Sequence, residues 1–384
     1  MRKGYRVFDA DTHFHPTVET LEPFLDKALR ERSTEFKRRE FKIGWAGEPL
    51  SEPYRHLYQF REMGGWGSNP PRHLGESGPR ENEGRHFQHF MGDVYPTEGG
   101  ADHDIEARIA DMDREGQDMH LLVPGVASGH EDTSVDVGMV QALHRYLDDV
   151  CGRYPDRLNA MILANGAFID ESVAEIKRWG ASPWARGVLI GLPLDYPIDH
   201  PDMDPIWQAA DDAGLTIVHH SFATGYPGYR DLWDNPFIGR TASHPWAAMR
   251  MVAAFTGAGL FDRFPNLRLS ILESGFGWIP FWARRMEDQV TYMGYVKEDL
   301  KHSMWEYMTS GRFFASIVIH EGEDMVRMVN ELMGDHVLMF GSDYPHAESR
   351  FPSSVDKVLG WESIGAEGMR KLMWDNAAKC YGFG

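Results

Sequence analysis

The residues best suited to chemistry stand at the ends of short apolar runs. The first run closes on Asp9-Ala10-Asp11-Thr12-His13-Phe14-His15-Pro16. Side chains two apart on a strand share a face, so His13 and His15 can converge on one ion, with Asp11 close enough to orient a ring. Imidazole suits zinc and other transition metals. Alone, this His-x-His reads equally well as two surface or turn histidines. Three later runs close in a similar way: Ile217-Val218-His219-His220, Ile271-Leu272-Glu273-Ser274-Gly275 and Phe340-Gly341-Ser342-Asp343-Tyr344-Pro345-His346. Adjacent His219 and His220 face opposite ways on a strand, which leaves at most one for a shared centre. Glu273 reads as a base, a further ligand or a salt-bridged structural carboxylate. His244 precedes Pro245 and Trp246 in what reads as a loop, and is either a proton donor near the site or a capping or surface histidine. His320 reads the same way. Trp278 and Trp282 are either helix packing or an aromatic wall for a planar substrate.

The elements that must position these residues follow a rhythm. Candidate strands span Arg6–His13, Met119–Pro124, Leu158–Ala164, Gly187–Leu192, Leu215–His220, Leu267–Glu273, Phe313–Ile319 and Val337–Asp343. Amphipathic helical patterns at Ile105–Glu115, Val140–Tyr154, Ala174–Trp179, Met203–Ala213, Trp246–Phe255 and Glu323–Leu332 precede most of them. This alternation predicts parallel strands with helical crossovers. Eight units without a glycine-rich dinucleotide fingerprint favour an α/β (β/α)8 TIM barrel, whose chemistry sits at the C-terminal ends of its strands. The whole chain, 1–384, reads as one such domain. A long insertion after the first strand, residues 26–101, is rich in Gly, Pro, Arg, Glu and His, and reads as a lid or an oligomer arm.

Composition narrows the function. The 384 residues are 42% hydrophobic and 25% charged, which excludes disorder as the main state. No run approaches a membrane span, and the N-terminus lacks the apolar core of a signal peptide. Two cysteines, Cys151 and Cys380, make no disulfide framework, so a cytoplasmic setting is expected. With 39 Lys and Arg against 58 Asp and Glu, the net charge is −19. Such a surface repels nucleic acid and anionic membrane, and an anionic substrate needs a local cation to offset the field.

Asp-Thr-His13-Phe-His15, the fifth-strand His220, FPNLRLSILESGFGWIPFWARRMED and FGSDYPH, in this order and spacing, resemble the amidohydrolase superfamily, in the branch around aminocarboxymuconate-semialdehyde and γ-resorcylate decarboxylases. The similarity runs from the first strand to Asn376-Ala-Ala-Lys-Cys-Tyr381-Gly, apart from the insertion. It implies that His13, His15, His220 and Asp343 hold one divalent metal, zinc or manganese, with an open position for water or substrate. The fourth strand lacks the lysine of the two-metal members, so a single ion is expected. The branch typically carries histidine where this chain has Glu273, a departure that bears on the reaction. Arg108 resembles the arginine that family decarboxylases use on a substrate carboxylate, and a guanidinium fork fits that role; an ion pair with Glu106 or Asp111 is the competing reading. The implied activity is non-oxidative decarboxylation of an aromatic or unsaturated carboxylic acid, with Asp343, Glu273 and His244 catalytic and Arg108 and Trp278 on the substrate. The alternative is hydrolysis or hydration of an ester, lactone, amide or activated C=C. A homodimer or higher homo-oligomer is expected.

Overall fold

The apolar runs pair in chain order into one eight-stranded parallel sheet: β1 (Phe8–Phe14), β2 (Met119–Pro124), β3 (Leu158–Asn165), β4 (Ala185–Gly191), β5 (Thr216–His220), β6 (Arg268–Leu272), β7 (Phe313–Ser316) and β8 (Leu338–Met339). This computed structural model describes residues 1–14, 16, 18–33, 105–125, 132–192, 197–220, 236–294, 299–345 and 349–383. The sheet closes on itself beyond β8. Ala10 N donates to Phe340 O (3.0 Å), Asp343 N to Asp11 O (3.0 Å) and His13 N to Tyr344 O (2.6 Å). The result is the (β/α)8 TIM barrel that the alternation predicts.

Between the strands run α1 (Ile105–Glu115), α2 (Thr133–Arg153), α3 (Ile169–Trp179), α4 (Asp204–Asp212), α5 (Pro236–Gly257), α6 (Ile279–Met293), α7 (Met304–Thr309) and α8 (Gly322–Met333). Among the described residues no helix is long and apolar enough to cross a membrane. The insertion after β1 begins with a short helix, Lys27–Glu31, capped by the Asp26 carboxylate on Leu29 N at 2.8 Å. Residues 34–101 of the insertion lie outside the described residues.

Strand alternation sorts the apolar side chains into two layers. Phe8, Leu121, Met161, Leu189, Val218, Leu272, Phe314 and Met339 fill the barrel, one from each strand, and Ala377, Cys380 and Tyr381 close its N-terminal end. Their intervening neighbours, such as Val7, Leu122, Ile217, Ile271 and Phe340, pack outward against the helices. Each fully buried Leu, Ile or Phe contributes roughly 1.5–3 kcal/mol. This core holds the C-terminal strand ends, where the ionisable residues stand, as a rigid rim.

The sequence places His244 in a loop because Pro245 follows it. The structure instead carries both inside α5. A proline inside a helix costs about 3 kcal/mol. Ala247, Ala248, Met251, Val252 and Phe255, at most 1% exposed, bury the face of this helix and offset that cost.

Candidate metal centre

Five ionisable side chains, from β1, β5, the residue after β6 and the segment after β8, meet in the barrel mouth. His13 Nε2 lies 2.8 Å from Asp343 Oδ1 and 3.2 Å from Glu273 Oε2. His220 Nε2 lies 2.9 Å from the same Glu273 oxygen and 3.7 Å from Asp11 Oδ1. The two imidazoles meet edge to face, with ring centres 4.8 Å apart. Ligand atoms of Asp11, His13 and His220 fall within 4.8 Å of one another, as do those of His13, Glu273 and Asp343.

Different local geometry delivers each group. His220 follows the strand period, two residues beyond inward Val218. His219 turns to the helix side, fully buried, and burial with His220 and His244 nearby pushes its imidazole down to about 3. On β1 the pairing register to β2 shifts between Asp9 and Thr12. The irregularity brings Asp11 and His13 inward although Phe8 and Ala10 also face the interior. Glu273 follows inward Leu272, so regular alternation would turn it out. Its backbone adopts φ +45°, and Asp343 adopts φ +64°. Such left-handed conformations cost a non-glycine residue of order 1–3 kcal/mol and gather at functional sites. Gly341 allows the close approach between β8 and β1, since a Cβ there would stand 2.9 Å from the Cβ atoms of both Asp11 and Ser316.

Burial alone would neutralise Glu273. Its imidazole neighbours His220, His13 and His244 outweigh burial and hold its carboxyl well below the usual range. For Asp11 burial wins, and despite His220 its carboxyl is pushed up to about 7. Asp11 Oδ2 accepts a bond from Ser316 Oγ at 3.4 Å. Asp11 Oδ1 is buried and has no hydrogen-bond partner among the described residues. A buried carboxylate oxygen in that state is costly unless a cation is bound beside it. Two imidazoles with carboxylates form a donor set that suits a divalent ion. On these grounds the residues fit one metal.

The other candidates surround this cluster. His244 Nδ1 stands 4.0 Å from Glu273 Oε1. Trp278 opens α6, and its indole N–H donates to Ser274 O (2.9 Å) and Gly275 O (3.1 Å), which fixes the ring over the turn after Glu273. Glu321 accepts from Phe276 N (3.1 Å) and Gly277 N (2.7 Å) and pins the same turn. Trp282 donates to Met249 O at 2.9 Å, a packing bond between α6 and α5. His320, exposed, lies 3.0 Å from an Arg350 nitrogen. Arg108 is 1% exposed on the helix side of β1, where its guanidinium donates to His13 O and stacks near Phe14 and Tyr344. His15 lies outside the described residues. Asp11 was read from the sequence only as a group that orients a ring. The signal for a larger role was present, since it stands two residues before His13 on the same strand.

The chain matches the amidohydrolase family model over residues 10–383. It therefore belongs to the amidohydrolase family. No curated protein matches it in sequence. Among solved structures it is similar to 5-carboxyvanillate decarboxylase from Novosphingobium aromaticivorans, complexed with manganese and 4-hydroxy-3-methoxy-5-nitrobenzoic acid. That match has TM-score 0.67 and 18% identity, and covers 99% of this chain and 97% of the other. An amidohydrolase from Mycobacterium avium subsp. paratuberculosis is similar at TM-score 0.68 and 20% identity, covering 99% and 100%. A dihydroxybenzoic acid decarboxylase from Polaromonas, with manganese and the inhibitor 2-nitroresorcinol, follows at TM-score 0.63 and 13% identity, covering 99% and 97%.

Proposed function

We propose that the chain is a metal-dependent, non-oxidative decarboxylase of a hydroxylated aromatic carboxylic acid. The observation that carries this reading is the buried cluster itself, in which two imidazoles and two strained carboxylates converge on one point of the barrel mouth. The manganese of two similar structures, with a hydroxylated nitrobenzoic acid in one and 2-nitroresorcinol in the other, supports it. His13, His220, Asp11 and Asp343 would hold the ion, joined by His15 as the sequence motif implies. Manganese is favoured by those neighbours over the zinc that the ligand types also admit.

Bound by these residues, a divalent ion would supply Lewis-acid chemistry that offsets the negative charge of an acidic substrate. The remaining work falls to side chains. The Trp278 ring offers a flat wall to an arene. Beside His220, His13 and His244 the Glu273 carboxyl is held well below the usual range, so it enters the reaction as a proton acceptor. It first accepts one, from the substrate hydroxyl or from His244, and then delivers it to the ring carbon that bears the carboxylate. As that C–H bond forms the C–C bond breaks, its electron pair returns to the ring, and CO2 leaves. One proton is consumed per CO2 released.

One observation favours a second reading, a hydrolase or hydratase: the Glu273 carboxylate stands 3.2 Å from His13 Nε2 and 2.9 Å from His220 Nε2, where it can serve as a base. Carboxyl-labelled 2,6-dihydroxybenzoate and 5-carboxyvanillate separate the two. With manganese or zinc loaded, labelled CO2 and the decarboxylated arene should appear in equal amounts, and a chelator should abolish both. Label retained in a hydrated or hydrolysed product, or no turnover of either acid, counts against the decarboxylase.

A further inference from the structure

Behind β1 and β2, on the side away from the barrel mouth, four buried polar side chains form a continuous line. Arg108, His120, Gln117 and Asp9 are each at most 3% exposed. An Arg108 nitrogen donates to His13 O, and another lies 3.4 Å from His120 Nδ1. His120 Nε2 lies 2.5 Å from Gln117 Oε1, and Gln117 Nε2 donates to Asp9 Oδ2 at 2.8 Å. Asp9 Oδ1 accepts from Ser342 N at 2.9 Å and from Asp11 N at 3.3 Å.

The direction of every link follows from its ends. A guanidinium only donates, so His120 Nδ1 must accept and its Nε2–H must donate. The Gln117 oxygen then accepts, and its amide nitrogen donates to the Asp9 carboxyl oxygen. Burial and the nearby Arg108 and Arg157 charges keep His120 neutral, as this order requires. Burial pushes the Asp9 carboxyl up to about 8 although the Ser342 and Asp11 amides donate to it. The line therefore joins a buried guanidinium to a carboxyl group through two neutral side chains and forms no direct ion pair. Packing alone does not call for it. What the line does reach is the backbone of the site: the carbonyl of His13, the amide of Asp11, and the amide of Ser342 next to Asp343.

We propose that Arg108, His120, Gln117 and Asp9 are positioning residues that set the register of β1 against the strand end after β8, and so fix where His13, Asp11 and Asp343 meet. The proposal rests on reading that cluster as a metal centre. It makes Arg108 act through His13. Groups that orient ligands from behind are commonly worth about 10- to 100-fold in metal affinity.

The test is Mn2+ binding to the full chain without substrate, followed by the electron spin resonance of free Mn2+. Gln117→Met cuts the line at its middle while keeping side-chain length. His120→Asn keeps an acceptor for Arg108 and loses the donor to Gln117, so it serves if the first variant does not fold. Either should weaken Mn2+ binding about 10- to 100-fold and lower kcat more than it raises KM. The control is Glu175→Gln, which disturbs the buried His144–Glu175 contact (2.6 Å) in the helix layer, and it should leave the affinity unchanged. Affinity within twofold of the unmodified chain in a folded Gln117→Met or His120→Asn variant, or an equal loss in the control, overturns the proposal. Absence of Mn2+ binding by the unmodified chain would instead remove the metal-centre reading beneath it.

Discussion

His220→Ala should remove the ion and the turnover together, while His219→Ala, one residue away, should leave both. His220 Nε2 faces Glu273 and Asp11 inside the mouth, and His219 faces the helix layer. Loss of a Lewis acid costs several kcal/mol of transition-state stabilisation. At about 1.36 kcal/mol per decade, that is on the order of a thousandfold or more in rate. His219→Ala instead opens a cavity in the buried layer and should cost roughly 2–4 kcal/mol of stability. Metal per chain by mass spectrometry, CO2 release and thermal unfolding of the two variants check this. A His220→Ala protein that keeps its metal and rate, or a folded His219→Ala protein that loses them, would refute the assignment.

The second large effect concerns Glu273. Glu273→Gln keeps the shape of the side chain and removes its ability to carry a proton. If this residue shuttles the proton, kcat should fall by about 10²–10⁴, with metal content and KM little changed. The contrast with a ligand is sharp. Glu273 Oε2 lies near the nitrogens of both His13 and His220, so a coordinating role predicts that the ion leaves with the charge. Metal analysis beside steady-state kinetics decides between them. Retained metal with kcat within threefold of the unmodified chain would exclude both roles.

The barrel was legible because its alternation of strands and helices is regular. Met119–Pro124 and Ile105–Glu115 fall where the pattern predicts them, and the other strands differ by a few residues at their ends. His220 was legible for the same reason, as it obeys the two-residue period from Val218. The residues that resisted reading are those that break a period. Asp11 turns inward through the irregularity between Asp9 and Thr12, and Glu273 through a left-handed backbone. Sequence periodicity carries neither feature, although both residue types were visible. His244 was obscured by Pro245, whose helix-breaking tendency is outweighed by the packing of the face that follows. The line from Arg108 to Asp9 was invisible for a different reason. Its members are scattered over α1, the turn that follows it, β2 and β1, and only the folded sheet brings them together. His15 and most of the insertion lie outside the described residues.

The most direct measurement is the anomalous diffraction of crystals grown with Mn2+. The account predicts one peak in the barrel mouth, bounded by His13, His220, Asp11 and Asp343. A peak held elsewhere, or none with the two imidazoles turned apart, would contradict it.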